Sequence, residues 1–410
     1  VHTAVKIAPH YEGPVVYVPD ASRSVSVAQG LLSDSAAKYI AELNADYDNV
    51  RKLHANKKQT PLWSLAKARA NKAVVDWASY APTVPKFIGR RVFKNYDLAE
   101  LAQYIDWGPF FQTWDLAGPY PAILSDDVVG VEAKKVLADG QALLKKVIDG
   151  RWLTANAVVA LYPANSVNDD DIAFYTDESR SEVALTWHGL RQQTEKQEFV
   201  DTDGVTKLRP SRCLADFVAP FAINSGAAYT DPTGAAGQNG LKNQDYAGLF
   251  AVTAGIGADK RAEAFEAVHD DYSSIMLKAI ADRLAEAFAE ALHKKVRTDL
   301  WGYAADESLS PQELIAEKYQ GIRPAPGYPA CPDHSVKLDM FKLLQCEDIG
   351  MGVTESLAMT PAASVSGFYI GHPDAAYFNV GKVGEDQVKD LAARRGVAVA
   401  DLQRLLAPNL

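Results

Sequence analysis

The sequence predicts an α+β fold in which helices flank a largely antiparallel sheet. Apolar runs of strand length stand at 155–163, 182–188, 247–253 and 363–370. Helical periodicity governs 126–148, 260–298 and 384–406. These two kinds of segment do not alternate in the regular βαβ rhythm that a parallel sheet requires.

In chain order, residues 1–12 read as a strand-like tail, and PVVYV (14–18) as a second short strand. A helix is expected over 33–57. Ser33, Asp34 and Ser35 supply cap candidates, and Ala37, Ile40, Leu43, Tyr47, Val50 and Leu53 recur at three- and four-residue steps. Its basic end, KLHANKK, suits the negative pole of the helix dipole. QTPLW then marks a boundary near Thr60 and Pro61, dividing a connector (1–58) from one folded unit (59–410). Within that unit, the strands at 155–163 and 182–188 flank the acidic turn NDDD and predict a hairpin. The long periodic stretch 260–298 exceeds the usual helix length, so a break is expected inside it. Two segments, 197–210 and the Gly/Ala/Asn-rich 224–245, read as surface loops.

Composition narrows the functional classes. The 410 residues are 48% hydrophobic and 23% charged, as in ordinary globular proteins. No stretch approaches the roughly 18–20 apolar residues of a membrane span, and no leader pattern opens the chain. A first residue of Val rather than Met is expected of a piece cut from a longer chain. The net charge of −10 disfavours nucleic acid as a partner. In KFIGRRVFK, Lys86, Arg90, Arg91 and Lys94 form either a basic docking patch or a solvated strand edge. Cys213, Cys331 and Cys346 suit neither a zinc site nor a disulfide framework and read as reduced thiols of a cytoplasmic protein. The histidines form no HxxxH or HExxH unit, so no metal site is expected. TAGIGADK holds too few glycines for a dinucleotide loop, reads as a tight turn, and weighs against a Rossmann-type methyltransferase.

Three places carry candidate ligand chemistry. GIRPAPGYPACPDH (321–334) compresses four prolines and two glycines into a stiff loop that loses little entropy on binding. Arg323 on that loop could grip a carboxylate bidentately, or simply bond to nearby carbonyls. Asp106 in YIDWGPFF lies among aromatics, where it could meet a ligand ammonium or cap the turn ahead of GPFF. On the helix, Asp282, Glu286 and Glu290 share one face, with Arg283 placed to pair with Glu286. By default such a face is solvated.

Taken together and in this order, YIDWGPFFQTW, AGPYPAIL, LRQQTEK, FVAPFA, the 269–293 helix, GIRPAPGYPACPDH, the 354–378 segment and the terminal LAPNL resemble the activation domain of cobalamin-dependent methionine synthase. The resemblance covers 59–410 and implies a bent, C-shaped version of the predicted sheet. It makes 1–12 the exit strand of a cobalamin-binding domain and 13–58 an inter-domain linker. It further implies binding of S-adenosylmethionine, whose methyl is donated in reductive methylation of inactive cob(II)alamin. By motif, Asp106 and Glu286 would be the acidic contacts, with Arg283 beside Glu286. Arg323 would hold the ligand carboxylate, Ala325, Gly327 and Tyr328 would face the adenosine, and Tyr377 would lie close to the adenosyl group. No side chain acts as a general base, so none is assigned as catalytic. Implied partners are the cobalamin-binding domain of the same enzyme and a flavodoxin-like or other reductase electron donor. The cobalt-ligating DxHxxG loop is absent from the sequence, so turnover belongs to the longer enzyme. The alternative is a module that senses S-adenosylmethionine or docks flavodoxin without chemistry of its own.

Overall fold

A computed structural model describes residues 1–18, 21–55, 60–77, 79–200, 202, 204–221 and 244–410. The chain divides into two compact units, Val1–Pro61 and Leu62–Leu410.

The first unit is helical. Thr3–Ile7 and Ala8–His10 form one short helical segment, followed by helices Ala21–Leu32 and Ala36–Ala55. This corrects the strands expected at 1–12 and 14–18. The unit has no strand among its described residues to complete a ladder, so the backbone bonds locally, as Val5 N–H does to the Val1 carbonyl at 3.0 Å. Arg51 Nη1 donates to the Ala4 carbonyl (2.8 Å), and the Tyr17 N–H donates to Tyr47 Oη (3.2 Å). The helix expected over 33–57 is present as Ala36–Ala55, and Ala21–Leu32 is an addition. Its serines and valines are poor helix formers that mask the pattern in the sequence.

The second unit is built on six antiparallel strands: β1 (Gly89–Phe93), β2 (Thr154–Val167), β3 (Asp171–Tyr175), β4 (Val183–His188), β5 (Asp245–Ile256) and β6 (Ser364–Tyr369). The order is β6-β5-β2-β3-β4. On the edge of β2 opposite β5, β1 pairs with residues 157–161 and β3 with residues 164–167. The acidic turn does make a hairpin, with Asn168 and Asp169 at positive φ (50° and 65°), but its second arm is β3. The 182–188 run is the third strand of a meander, paired with β3. Four apolar or aromatic residues, Ile172 to Tyr175, were too short a run to be counted as a strand alone.

Both faces of this sheet are buried, and side-chain alternation separates them. Ala155, Ala157, Val159 and Leu161 of β2 join Phe250 and Val252 of β5 in a core under helices Gly130–Asp149 and Asp271–Lys295. Val158, Ala160 and Tyr162 join Leu249, Ala251 and Phe368 in a second core under helix Val336–Leu344. Double coverage explains why β2 and β5 read as continuous apolar runs. Each fully buried large side chain in these cores adds about 1.5–3 kcal/mol.

The periodic 260–298 stretch breaks where expected, into Ala258–Glu266 and the long helix Asp271–Lys295, followed by a π turn at Val296–Leu300. His269 takes φ 60°, and Asp270 caps the long helix by accepting from the Ser273 N–H at 3.0 Å. Gly257 (φ 95°) makes the TAGIGADK turn; a Cβ there would lie 2.8 Å from the Trp152 carbonyl oxygen. The 384–406 helix is two helices, Glu385–Arg395 and Val399–Leu405, divided by Gly396 at φ 64°. Of the two predicted loops, 197–210 contains a small hairpin, Glu198–Val200 with Thr206–Leu208. Positions 224–243 of the other lie outside the described residues. The basic segment 86–94 supplies β1, with Arg90 bonded to the Leu344 carbonyl (2.6 Å) and Asp348 (2.9 Å) rather than left free for docking. No helix among the described residues is long and apolar enough to cross a membrane.

Candidate functional site

The proline-rich loop is fastened to the free edge of β6. Ile322 and Ile370 exchange backbone hydrogen bonds (2.9 and 3.1 Å), and the Phe368 N–H donates to the Pro324 carbonyl at 2.9 Å. Gly367 permits that approach, since a Cβ there would sit 2.5 Å from the Pro324 oxygen. The tip folds back through Gly327 N–H to the Cys331 carbonyl (2.7 Å) and Cys331 N–H to the Tyr328 carbonyl (2.9 Å). Gly327 takes φ 94°, and a Cβ would fall 2.0 Å from the His334 ring, so the turn requires glycine there. Beyond the tip, the Val380 N–H donates to the Pro329 carbonyl at 2.9 Å, which ties the loop to the 377–380 segment.

Between these pieces lies a groove of about 450 Å³, within the size range of small-molecule sites. Phe250 and Val365 come from the sheet, Pro324, Ala325 and Tyr328 from the loop, and Tyr377, Phe378 and Asn379 from the facing segment. The charged members are Glu286 from the long helix, Glu317 and Arg323. Apolar surface thus surrounds two carboxylates and one guanidinium. Such a set suits a flat ligand that carries positive charge and one carboxylate.

The electrostatics follow from burial. Glu286 is half-buried, and desolvation pushes its carboxyl pKa above the ordinary value against the opposing charges of Arg283 and Arg323. The nearby Glu286 charge, ahead of burial, raises the Tyr328 hydroxyl as well. Arg323 keeps its proton firmly: burial acts against the charge, but Glu290 and a ring of tyrosines outweigh it. Its Nη2 donates to Glu290 Oε2 at 2.7 Å, and its Nη1 to Tyr319 Oη at 2.8 Å and His293 Nδ1 at 3.2 Å. Its backbone N–H donates to Tyr377 Oη at 3.0 Å.

Of the sequence-predicted residues, the groove therefore unites Glu286, Arg323, Ala325, Tyr328 and Tyr377. Arg283 acts on Glu286 through its charge, and Gly327 shapes the loop; neither is among the lining residues. Asp106 is not among the lining residues of the groove; its Oδ1 accepts from the Gly108 N–H at 2.8 Å, at the turn that begins helix Gly108–Gln112. An acid two residues ahead of a Gly-Pro helix start satisfies an otherwise unpaired donor locally. The solvated acidic face is overturned at Glu290, which is 7% exposed.

Of the residues that meet Arg323 or line the groove, His293, Tyr319 and Glu317 were not singled out in the sequence, and Glu290 was placed on a solvated face. The available signal was a helix whose Ala285, Ala287, Ala289 and Ala291 are small enough to be packed on several sides, leaving Glu290 and His293 inside.

The family described as vitamin B12 dependent methionine synthase, activation domain, matches residues 97–396. A crystal structure of the MetH reactivation domain bound to AdoHcy is 48% identical in sequence. It covers 86% of this chain and 99% of its own, with a TM-score of 0.75. With the same open antiparallel sheet and the match running through the groove-forming helix and loop, the chain belongs to the activation-domain family of vitamin B12 dependent methionine synthases.

Proposed function

We propose that the groove binds S-adenosylmethionine and presents its methyl group outward. The observation that carries this is the meeting of Glu286, Arg323, Tyr328 and Tyr377 around one apolar-walled groove. Glu286 and Glu317 supply negative charge for the sulfonium and ammonium, and Arg323 supplies donors for the carboxylate. Tyr328, more than half exposed at the lip, and Tyr377 offer rings to the purine. The relative bound to AdoHcy, the demethylated form of the same ligand, supports the assignment. Methyl transfer needs no proton removed, so the residues bind and orient, and no general base is required.

The acceptor in this reading is a cobalamin carried by a neighbouring domain of the same enzyme, whose reduced cobalt supplies the nucleophile. A flavodoxin-like protein or another reductase would supply the electron. We assign the helical unit Val1–Pro61 to the connection toward that neighbour, and complete turnover to the longer enzyme. Buried free thiols at Cys213, Cys331 and Cys346 accord with the cytoplasmic setting assumed here.

Calorimetric titration with S-adenosylmethionine tests the site. Arg323→Ala is expected to weaken binding about tenfold or more, the loss typical of a hydrogen bond to a charged group. Unchanged affinity would remove Arg323 from the site, and with it this reading of the groove.

A further inference from the structure

Behind the groove, Arg323 rests on buried polar groups that the ligand reading leaves without a role. We propose that Glu290 and His293 are positioning residues: they orient the Arg323 guanidinium so that its remaining donors form the fork that reads the ligand carboxylate. The inference rests on the groove being an S-adenosylmethionine site.

A guanidinium has five N–H donors. Three point inward, one from Nη2 to Glu290 and two from Nη1 to Tyr319 and His293. Nε–H and the second Nη2–H have no partner among the described residues. They sit on neighbouring nitrogens, an arrangement a carboxylate accepts through both oxygens. The inward contacts thus select which edge of the plane a ligand meets.

His293 is built for this task in one protonation state. Arginine only donates, so Nδ1 must present its lone pair, and the ring proton resides on Nε2. That proton can be donated to Tyr303 Oη, 3.3 Å away. Burial, reinforced by the positive charges of Arg297 and Arg323, pushes the His293 pKa well below its ordinary value and keeps the ring neutral. The ring is fixed by stacking on Tyr369 (5.1 Å, 16°) and by an edge contact with Tyr319 at 4.9 Å. Behind Glu290 stands a second positive charge: Arg297 Nη1 lies 4.0 Å from its Oε1, too far for a hydrogen bond, and Arg297 is itself anchored by a two-point contact with Glu307 (2.7 and 2.8 Å). A long, rotamer-rich side chain is therefore ordered before any ligand arrives, which lowers the entropic cost of binding.

The test separates positioning from general support of the fold. The 410-residue chain and its His293→Leu, His293→Asn and Glu290→Gln variants are titrated with S-adenosylmethionine and with its decarboxylated analogue, which keeps the sulfonium but lacks the carboxylate. His293→Leu removes the acceptor; in His293→Asn the amide oxygen can stand in for Nδ1. We expect His293→Leu and Glu290→Gln to weaken S-adenosylmethionine binding by about tenfold while the analogue changes by about twofold or less. His293→Asn should recover most of the loss. If His293→Leu does not fold, Glu290→Gln carries the same two-ligand comparison. Equal losses for both ligands, or His293→Asn as weak as His293→Leu, would overturn the positioning role. Equal wild-type affinity for the two ligands would overturn the carboxylate fork itself. A wild-type chain that binds neither ligand would instead remove the underlying reading of the groove.

Discussion

Glu286 shows how one residue couples the site to pH. Its carboxyl pKa is raised by burial, and a cationic ligand beside it favours the ionised form. The bound value must therefore lie below the free value, and binding releases a proton between the two. Affinity should fall as pH is lowered through the free-site value and level off beneath the bound one. Calorimetry in buffers of different ionisation enthalpy will detect the released proton, and Glu286→Gln should abolish both the release and the pH dependence. A slope that survives in the variant would place the titrating group elsewhere. At this scale the sequence was only partly legible. Arg323 and Tyr328 stood out because a proline-rich loop announces itself, whereas the local bond of Asp106 to the Gly108 N–H comes from a turn that its neighbours alone do not specify.

Among the elements, the long helix Asp271–Lys295 matters most, because it carries Glu286, Glu290 and His293 on a single rigid support. Its N-terminus depends on Asp270, whose side chain accepts from the Ser273 N–H at 3.0 Å, directly after the break at His269. Asp270→Ala should destabilise the domain by about 1 kcal/mol in denaturant unfolding. Because the cap lies four turns from Glu286, ligand affinity should stay near that of the wild type; a large loss of affinity would mean that the helix start and the groove are coupled. Periodicity exposed this helix and its break in advance. The β2–β4 meander was harder, since β3 is a buried run of five residues, and which strand closes a turn depends on partners far away.

On the scale of the whole Leu62–Leu410 unit, the terminal helices are bound to the sheet through a buried charge cluster centred on Arg191 of LRQQTEK. All five of its side-chain N–H groups are used, with Asp170 (2.6 Å), both Asp216 oxygens (2.9 and 2.7 Å), and the Ser211 and Asp169 carbonyls. Gln387, in the helix after Gly384, accepts from the Arg191 backbone N–H at 2.7 Å and donates to its carbonyl at 3.0 Å. Arg191→Met would leave Asp170 and Asp216 buried without that partner, and a loss of about 3–5 kcal/mol in unfolding free energy is expected. A change below about 1 kcal/mol would mean that the other contacts of Asp170 and Asp216 compensate.

Periodicity and punctuation by themselves determined the class of fold, the three longest helices and the stiff loop, because each of these depends on neighbours a few residues apart. The tertiary structure alone decided that the helix face bearing Glu290 turns inward and that Arg323 is oriented by His293. Those outcomes depend on which surfaces meet across the sheet, and the cost of burying a charge is settled by partners tens or hundreds of positions away.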